Sequence, residues 1–553
     1  MRSDNENLNS NLIVQGSILA IASFISKIVG MLYRVPLKAI IGKVGNDYYG
    51  TAFEIYSIVL IISCYSIPLA VSKQVAVRMA GKRYKDAWTV LKGSLVFAVV
   101  SGGAASLVLF FGAQTFSELL RTPLAAVALR VLSPVPLIVG VIGVFRGFFQ
   151  GLHRMMPSAI SQIIEQIVNA IVSIIAAYYL FTYGSKVGAI LGNPENIASA
   201  YGAAGGTLGT ASGALAALIF IGLVFLLFRS NFVRRVRHDY TKNSETESLG
   251  YSMKTLLITI IPVLLSTTLY NLTAIVDQYI FKNMAFDQLY TPKQVSEWWG
   301  VYIGQYMLLI NVPISIASAM ASSSVPSLTE AFYSKNPGLV KRRIHSATRF
   351  IMAIAIPSAV GMTVLGGPIM EMLFFDPDPI SRNMMLIGSV AIIFYALSTL
   401  SNGLLQGIDK LRIPVMNAAV SLVVQALLLV LLMRVFHLNI YAVIIANAFY
   451  AFLMCILNGI AIRRYSGYRQ DILTTYLIPL GASLVMGVIV FGVYKLIMLF
   501  GDLNIIATLI SVVVGIVVYF VALLLMKGLS KQDLYRLPKG DYLVAFAERL
   551  HLI

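Results

Sequence analysis

Charge is what this chain has least of. Asp, Glu, Lys and Arg make up only 12% of its 553 residues, where a soluble domain carries roughly a quarter. Cysteine is nearly absent: Cys64 and Cys455 both fall inside apolar runs, which excludes a disulfide framework or a thiolate metal site and leaves small apolar filler. The three tryptophans, Trp88, Trp298 and Trp299, stand at the ends of apolar runs, where interfacial belts put them. There is no Walker A loop, so no P-loop ATPase. No polar loop holds the paired aspartates of a metal-dependent glycosyltransferase. His153, His238 and His345 are isolated, which argues against an intramembrane polyprenyl-phosphate enzyme. No cleavable signal peptide is expected, because residues 1–11 are polar and the following apolar run is too long.

What the chain does have is apolar length. Hydrophobic residues account for 58% and the mean hydropathy is +0.81. Fourteen spans are predicted, near 12–41, 51–72, 87–112, 124–150, 157–183, 201–228, 252–281, 299–329, 345–367, 383–407, 413–434, 438–462, 472–498 and 503–526. The fold class is an all-α polytopic membrane protein. With the N-terminus inside, the inner segments hold about 28 Lys and Arg and the outer loops about 7. Both termini are therefore assigned to the cytoplasm. The net charge of +18 reads as topogenic rather than as a nucleic-acid footprint.

Two patterns recur about 250 residues apart. Gly147-Phe148-Phe149-Gln150-Gly151 precedes Pro157 as Gly403-Leu404-Leu405-Gln406-Gly407 precedes Pro414. Ser66-Ile67-Pro68-Leu69-Ala70 matches Asn311-Val312-Pro313-Ile314-Ser315. An offset of six spans preserves orientation, so a parallel duplication is expected. This gives an N-terminal lobe 1–228, a basic linker 229–251, a C-terminal lobe 252–462, two extra spans within 463–527 and an amphipathic tail 528–553 at the inner interface.

The polar residues left inside the spans carry the functional signal. Ser23, Lys27, Gly30, Arg34 and Lys38 share one face of the first helix. A charge near mid-membrane costs several kcal/mol unless it faces protein or water. Lys27 and Arg34 are the ligand candidates; Lys38 is near enough to the surface to snorkel as an anchor. In the fifth span Gln162, Glu165, Gln166 and Asn169 recur at i, i+3, i+4 and i+7. That stripe lines a cavity or makes interhelical hydrogen bonds. Glu54 is either a partner for a first-helix cation or an interfacial carboxylate. Arg146 is a substrate contact or a positive-inside anchor. With the 245-residue offset, Asp277 falls within a turn of the position equivalent to Arg34. Asn417 and Ser421 are four apart and complete a hard-cation oxygen site with Asp277, or belong to scattered helix contacts.

Clustered Lys and Arg in one lobe suit an anionic substrate such as a diphosphate. The segments FISKIVGMLYRVPLKAIIG, SIPLAVSKQVA and FRGFFQGLHRMMPSAISQIIEQIVN resemble the polysaccharide transporter branch of the MOP exporter superfamily, and the resemblance runs along nearly the whole chain. It implies fourteen helices in two lobes and export of an undecaprenyl-diphosphate-linked saccharide, with lipid II the leading substrate. By position it assigns Lys27 and Arg34 to the diphosphate, and Asp277 and Asn417 to a sodium ion. The chain departs from the family at Leu308, where many members have Arg, and at Ser421, where some have a carboxylate. No cofactor is expected, and coupling to Na+, H+ or the membrane potential is left open. Membrane lipids and other cell-wall synthesis proteins are candidate partners. The competing transporter reading, a MATE-type drug or cation antiporter, calls for acidic residues where this lobe places cations. A scaffold would leave the periodic polar stripes unexplained.

Overall fold

The computed structural model describes residues 19, 21–237, 248–501, 503–526 and 528, and among these there is helix but no strand. The linker segment 238–247 and nearly all of the tail 528–553 lie outside them. Among the described residues eleven helices are long and apolar enough to cross a membrane, or twelve if one bent pair is a single span. Ile21–Ala80, at 60 residues, holds two of the expected spans. The bent pair Pro379–Gly388 and Ala391–Gly407 is the expected tenth, and Leu249–Asp287 is the seventh.

The chain divides into two compact units, Met1–Gly300 and Val301–Ile553. The first holds α1 (21–32), α2 (Arg34–Ser63), α3 (Ile67–Ala80), α4 (Tyr84–Leu119), α5 (Ala125–Leu132), α6 (Val135–Gly151), α7 (Met156–Ile190), α8 (Pro194–Arg237), α9 (Leu249–Asp287) and most of α10 (Pro292–Val301). Here α9 packs against α2, α3 and α4, whereas the sequence grouped it with the helices that follow it.

Two local features depart from the expected hairpin of spans. The predicted outer loop 42–50 is helical, and the turn is confined to Gly42 (φ 72°, ψ −175°), a conformation that a Cβ disfavours. Then the helix breaks at Cys64–Ser66, two residues ahead of Pro68, which has no N–H to donate to the preceding turn.

The tightest packing in this unit is α7 on α8. A Cβ at Gly205, Gly209 or Gly213 would lie 2.5–2.6 Å from the Ala176, Asn169 or Glu165 carbonyl oxygen respectively. Small residues every four positions let two backbones touch, as in other membrane helix pairs.

The second unit holds the π turn Tyr302–Tyr306, α11 (Met307–Tyr333), α12 (Pro337–Phe374), α13 (Pro379–Gly388), α14 (Ala391–Gly407), α15 (Arg412–Arg434), α16 (Asn439–Ser466), α17 (Ile478–Met498) and α18 (Asn504–Leu525). The two extra helices dock on α12: Tyr519 donates to the Ala353 carbonyl (2.8 Å) and Asn504 to that of Pro368 (3.3 Å).

Gly147 backs onto Pro68 and Val71, and Gly403 backs onto Ala321, eight residues beyond Pro313. The glycine motifs occupy like places; the proline motifs do not. The 245-residue offset that set Asp277 opposite Arg34 therefore loses its basis.

Candidate functional site

The two polar stripes predicted on the first and fifth spans meet. Ser23 donates to Gln162 Oε1 (2.9 Å). A Cβ at Gly30 would stand 3.3 Å from Gln166 Oε1. From α6, Arg146 reaches the same face of α7: its Nη2 donates to Glu165 Oε2 and its Nε to Ser161 Oγ, both at 2.8 Å. This is an ion pair at the foot of the polar face, so Arg146 is more than a topological anchor. Asn169 takes the other path. It is buried and accepts from Ser173 Oγ (3.0 Å), which also donates to the Gly206 carbonyl (2.8 Å). It therefore serves the α7–α8 contact, and the stripe divides into a facing part, Gln162 to Gln166, and a packing part.

The cations expected on one face of the first helix also separate, with Lys27 on α1 and Arg34 and Lys38 on α2. Lys27 is exposed and Arg34 half-buried. The Arg34 guanidinium lies over the Phe53 ring (5.4 Å to its centroid) and near that of Tyr49 (5.9 Å), and Tyr49 and Tyr33 share a hydrogen bond of 2.9 Å. Its Nε is buried without a hydrogen-bond partner. Among the described residues neither Lys27 nor Arg34 has a carboxylate partner. Lys38 does not snorkel: it is buried at 6% exposure.

Glu54 turns away from the first-helix cations and toward α9. In the orientation that gives each amide atom a proper partner, Gln278 donates to Glu54 Oε2 (3.0 Å) and accepts from Thr51 Oγ1 (2.6 Å) and Lys282 Nζ (3.2 Å). Lys282 and Asp47 form an ion pair of 2.5 Å with both side chains at 1% exposure. Lys282 also donates to Thr122 Oγ1 (2.5 Å), so each of its three N–H groups is used. Asp47 also accepts from Ser296 Oγ (2.6 Å), and Thr51 Oγ1 lies 3.2 Å from its Oδ1. A pair this deeply buried is tolerable only with its remaining donors and acceptors satisfied. The sequence reading missed it because hydropathy put Asp47 in a loop and Lys282 one residue past a span. The signal was there in the spacing of Asp47, Thr51 and Glu54 (four, then three) and of Gln278 and Lys282 (four).

The proposed cation ligands are divided between units: Asp277 in the first, Asn417 and Ser421 in the second. Asn417 donates to Asn458 Oδ1 (2.8 Å), and Asn458 in turn donates to Ser401 (2.9 Å) and Asn402 (2.7 Å). Ser421 is fully buried. Trp299, expected at an interface, is buried against Phe281 with ring centroids 5.5 Å apart.

Residues 13–332 match the family described as polysaccharide biosynthesis protein. The lipid II flippase MurJ of Bacillus subtilis (strain 168) is 25% identical over 499 residues, 87% of this chain and 88% of that protein. A solved structure of lipid II flippase MurJ in an inward closed conformation superimposes with a TM-score of 0.62 at 15% identity, over 91% of this chain and 97% of its own. An inward-facing multidrug resistance MATE family transporter of the MOP superfamily gives 0.64 at 14%, over 82% of this chain and 99% of its own. The architecture is thus the one these transporters share, and with its many apolar helices the protein is a multi-pass membrane protein.

Proposed function

The chain belongs to the polysaccharide biosynthesis protein family, and from that premise we propose that it is a flippase for an undecaprenyl-diphosphate-linked saccharide, with lipid II the leading substrate. One observation carries this reading. On the polar face where α1, α6 and α7 meet, Arg146 is neutralised by Glu165, while Lys27 on α1 and Arg34 at the start of α2 have no carboxylate partner among the described residues. Cations at membrane depth without an internal counter-charge suit an anionic ligand, and the forked guanidinium of Arg34 suits a diphosphate.

In this mechanism the protein lies in the bacterial plasma membrane with both termini cytoplasmic. The headgroup enters from the inner side, its diphosphate drawn to Lys27 and Arg34 and its sugars against Gln162 and Gln166. The polyprenyl tail stays in the bilayer. Rearrangement of the helices then opens the site outward. The driving force is a Na+ or H+ gradient or the membrane potential, which supplies about 2.3 kcal/mol per charge per 100 mV. A drug or cation antiporter of the same fold would present free carboxylates on this face; here Glu165 is held by Arg146.

The test is lipid II translocation in proteoliposomes, paired with complementation of a flippase-depleted strain. Arg34→Ala and Lys27→Ala are expected to insert normally and lose activity. Full complementation by both variants would rule the mechanism out. Accumulation of a different undecaprenyl intermediate on depletion would reassign the substrate.

A further inference from the structure

A second basic site lies at the α8 end that carries Arg229, Arg234, Arg235 and Arg237. It is a cavity of about 260 Å³ lined by Arg154, Phe228, Asn231, Phe232 and Arg235, smaller than the pockets of about 300–1,000 Å³ that enclose whole ligands and of a size for a headgroup alone. Phe228, Asn231, Phe232 and Arg235 follow one face of α8 at helical spacing. Arg154 arrives from the turn closing α6, where its N–H donates to the Phe149 carbonyl (2.9 Å) after His153 adopts a left-handed conformation (φ 58°). Its guanidinium lies 4.8 Å over the Phe228 ring.

The floor is rigid. Phe232 is buried and packs on Phe148 (5.3 Å between centroids), Trp88 (6.0 Å) and Tyr84 (6.1 Å). The rim is open: Arg154, Asn231 and Arg235 are exposed, and neither arginine has a carboxylate partner among the described residues. Two guanidinium groups and an amide offer donors and no anionic acceptor, a combination that selects a phosphate oxyanion.

The depth of the site identifies where that phosphate comes from. One turn to two turns before it, α8 exposes Leu223, Leu226 and Leu227, and from Arg229 onward it is basic. The pocket thus sits where acyl chains give way to headgroups, with aromatic rings at the same level. We infer that Arg154 and Arg235 clamp the phosphodiester of an anionic phospholipid from the leaflet bordering this end, its glycerol against Phe228 and Phe232. On the orientation proposed above that is the cytoplasmic leaflet, whose anionic lipids draw basic pockets of this kind. The inference rests on that membrane placement but not on the transported substrate.

The test is native mass spectrometry of the full chain titrated with phosphatidylglycerol, phosphatidylcholine or inorganic phosphate. The wild type is expected to retain phosphatidylglycerol over phosphatidylcholine, and R154Q/R235Q to bind it about tenfold more weakly or worse. R234Q/R237Q removes the same charge from the same helix end outside the pocket and is expected to bind as wild type does. Equal retention by R154Q/R235Q, or equal loss in R234Q/R237Q, overturns the site. Displacement of the lipid by equimolar inorganic phosphate overturns the headgroup assignment. Elution of both variants as wild type on size exclusion shows that they fold. Because lipid retention is read without flipping, a negative result here is separable from loss of transport in Arg34→Ala.

Discussion

Lys282 and Asp47, 235 residues apart in sequence, form a buried ion pair that ties α9 to α2. The other groups around them, Thr122 and Gln278 at Lys282 and Ser296 and Thr51 at Asp47, are all neutral, so removing one charge leaves the other stranded. Asp47→Asn or Lys282→Ala is expected to destabilise the protein by about 3–5 kcal/mol, seen as an earlier thermal transition in detergent. The apolar double replacement Asp47→Leu/Lys282→Met is expected to recover most of that loss. Single variants as stable as the wild type would show that the pair contributes nothing.

Arg34 and lysine are not equivalent at this position. The guanidinium lies over the Phe53 ring and beside that of Tyr49, and a flat ion stacks on aromatic faces better than an ammonium does. Arg34→Lys is expected to keep some transport in proteoliposomes but less than a tenth of the wild-type rate, corresponding to about 1.4 kcal/mol or more. Wild-type rates in Arg34→Lys would mean that charge alone matters there.

The Arg146–Glu165 pair is only partly screened by protein, with 14% and 23% side-chain exposure. A double-mutant cycle with Arg146→Gln and Glu165→Gln, read by thermal stability, is expected to return a coupling of about 0.5–3 kcal/mol. The double variant, freed of an unpaired charge, is expected to be more stable than the worse single one.

Gly209 stands against both Ser173 Oγ and the Asn169 carbonyl. Gly209→Ala therefore cannot be accommodated by turning a side chain; α7 and α8 must part. A loss of about 1–3 kcal/mol is expected, while Gly222→Ala, whose Cβ would meet nothing within 4 Å, is expected to be neutral. Circular dichroism melts of the two variants side by side decide this.

The helices were legible because span-length apolar runs leave a bilayer protein few alternatives, and Ser23 and Gln162 were legible because polar residues at helical period point one way. Asp47 and Lys282 were hidden because hydropathy ends a helix where charge begins, although the backbone ladder continues through both. Asn169 shared the period of Gln162 and Glu165 yet faces α8: a stripe wider than one contact cannot be divided without knowing where the neighbouring glycines lie. The match between Pro68 and Pro313 misled for a simpler reason, since proline is frequent in membrane helices and a five-residue coincidence costs little.

The glycine contacts between α7 and α8 have a mechanical consequence. Where carbonyl oxygens rest against the backbone of the facing helix, there is no layer of side chains to shear by switching rotamers. The pair responds to a load as one stiff beam. Bending in the first unit is then concentrated where the hydrogen-bond ladder is already interrupted, at Gly42 and at Cys64–Ser66, and these are the joints on either side of the segment that carries Asp47, Thr51 and Glu54.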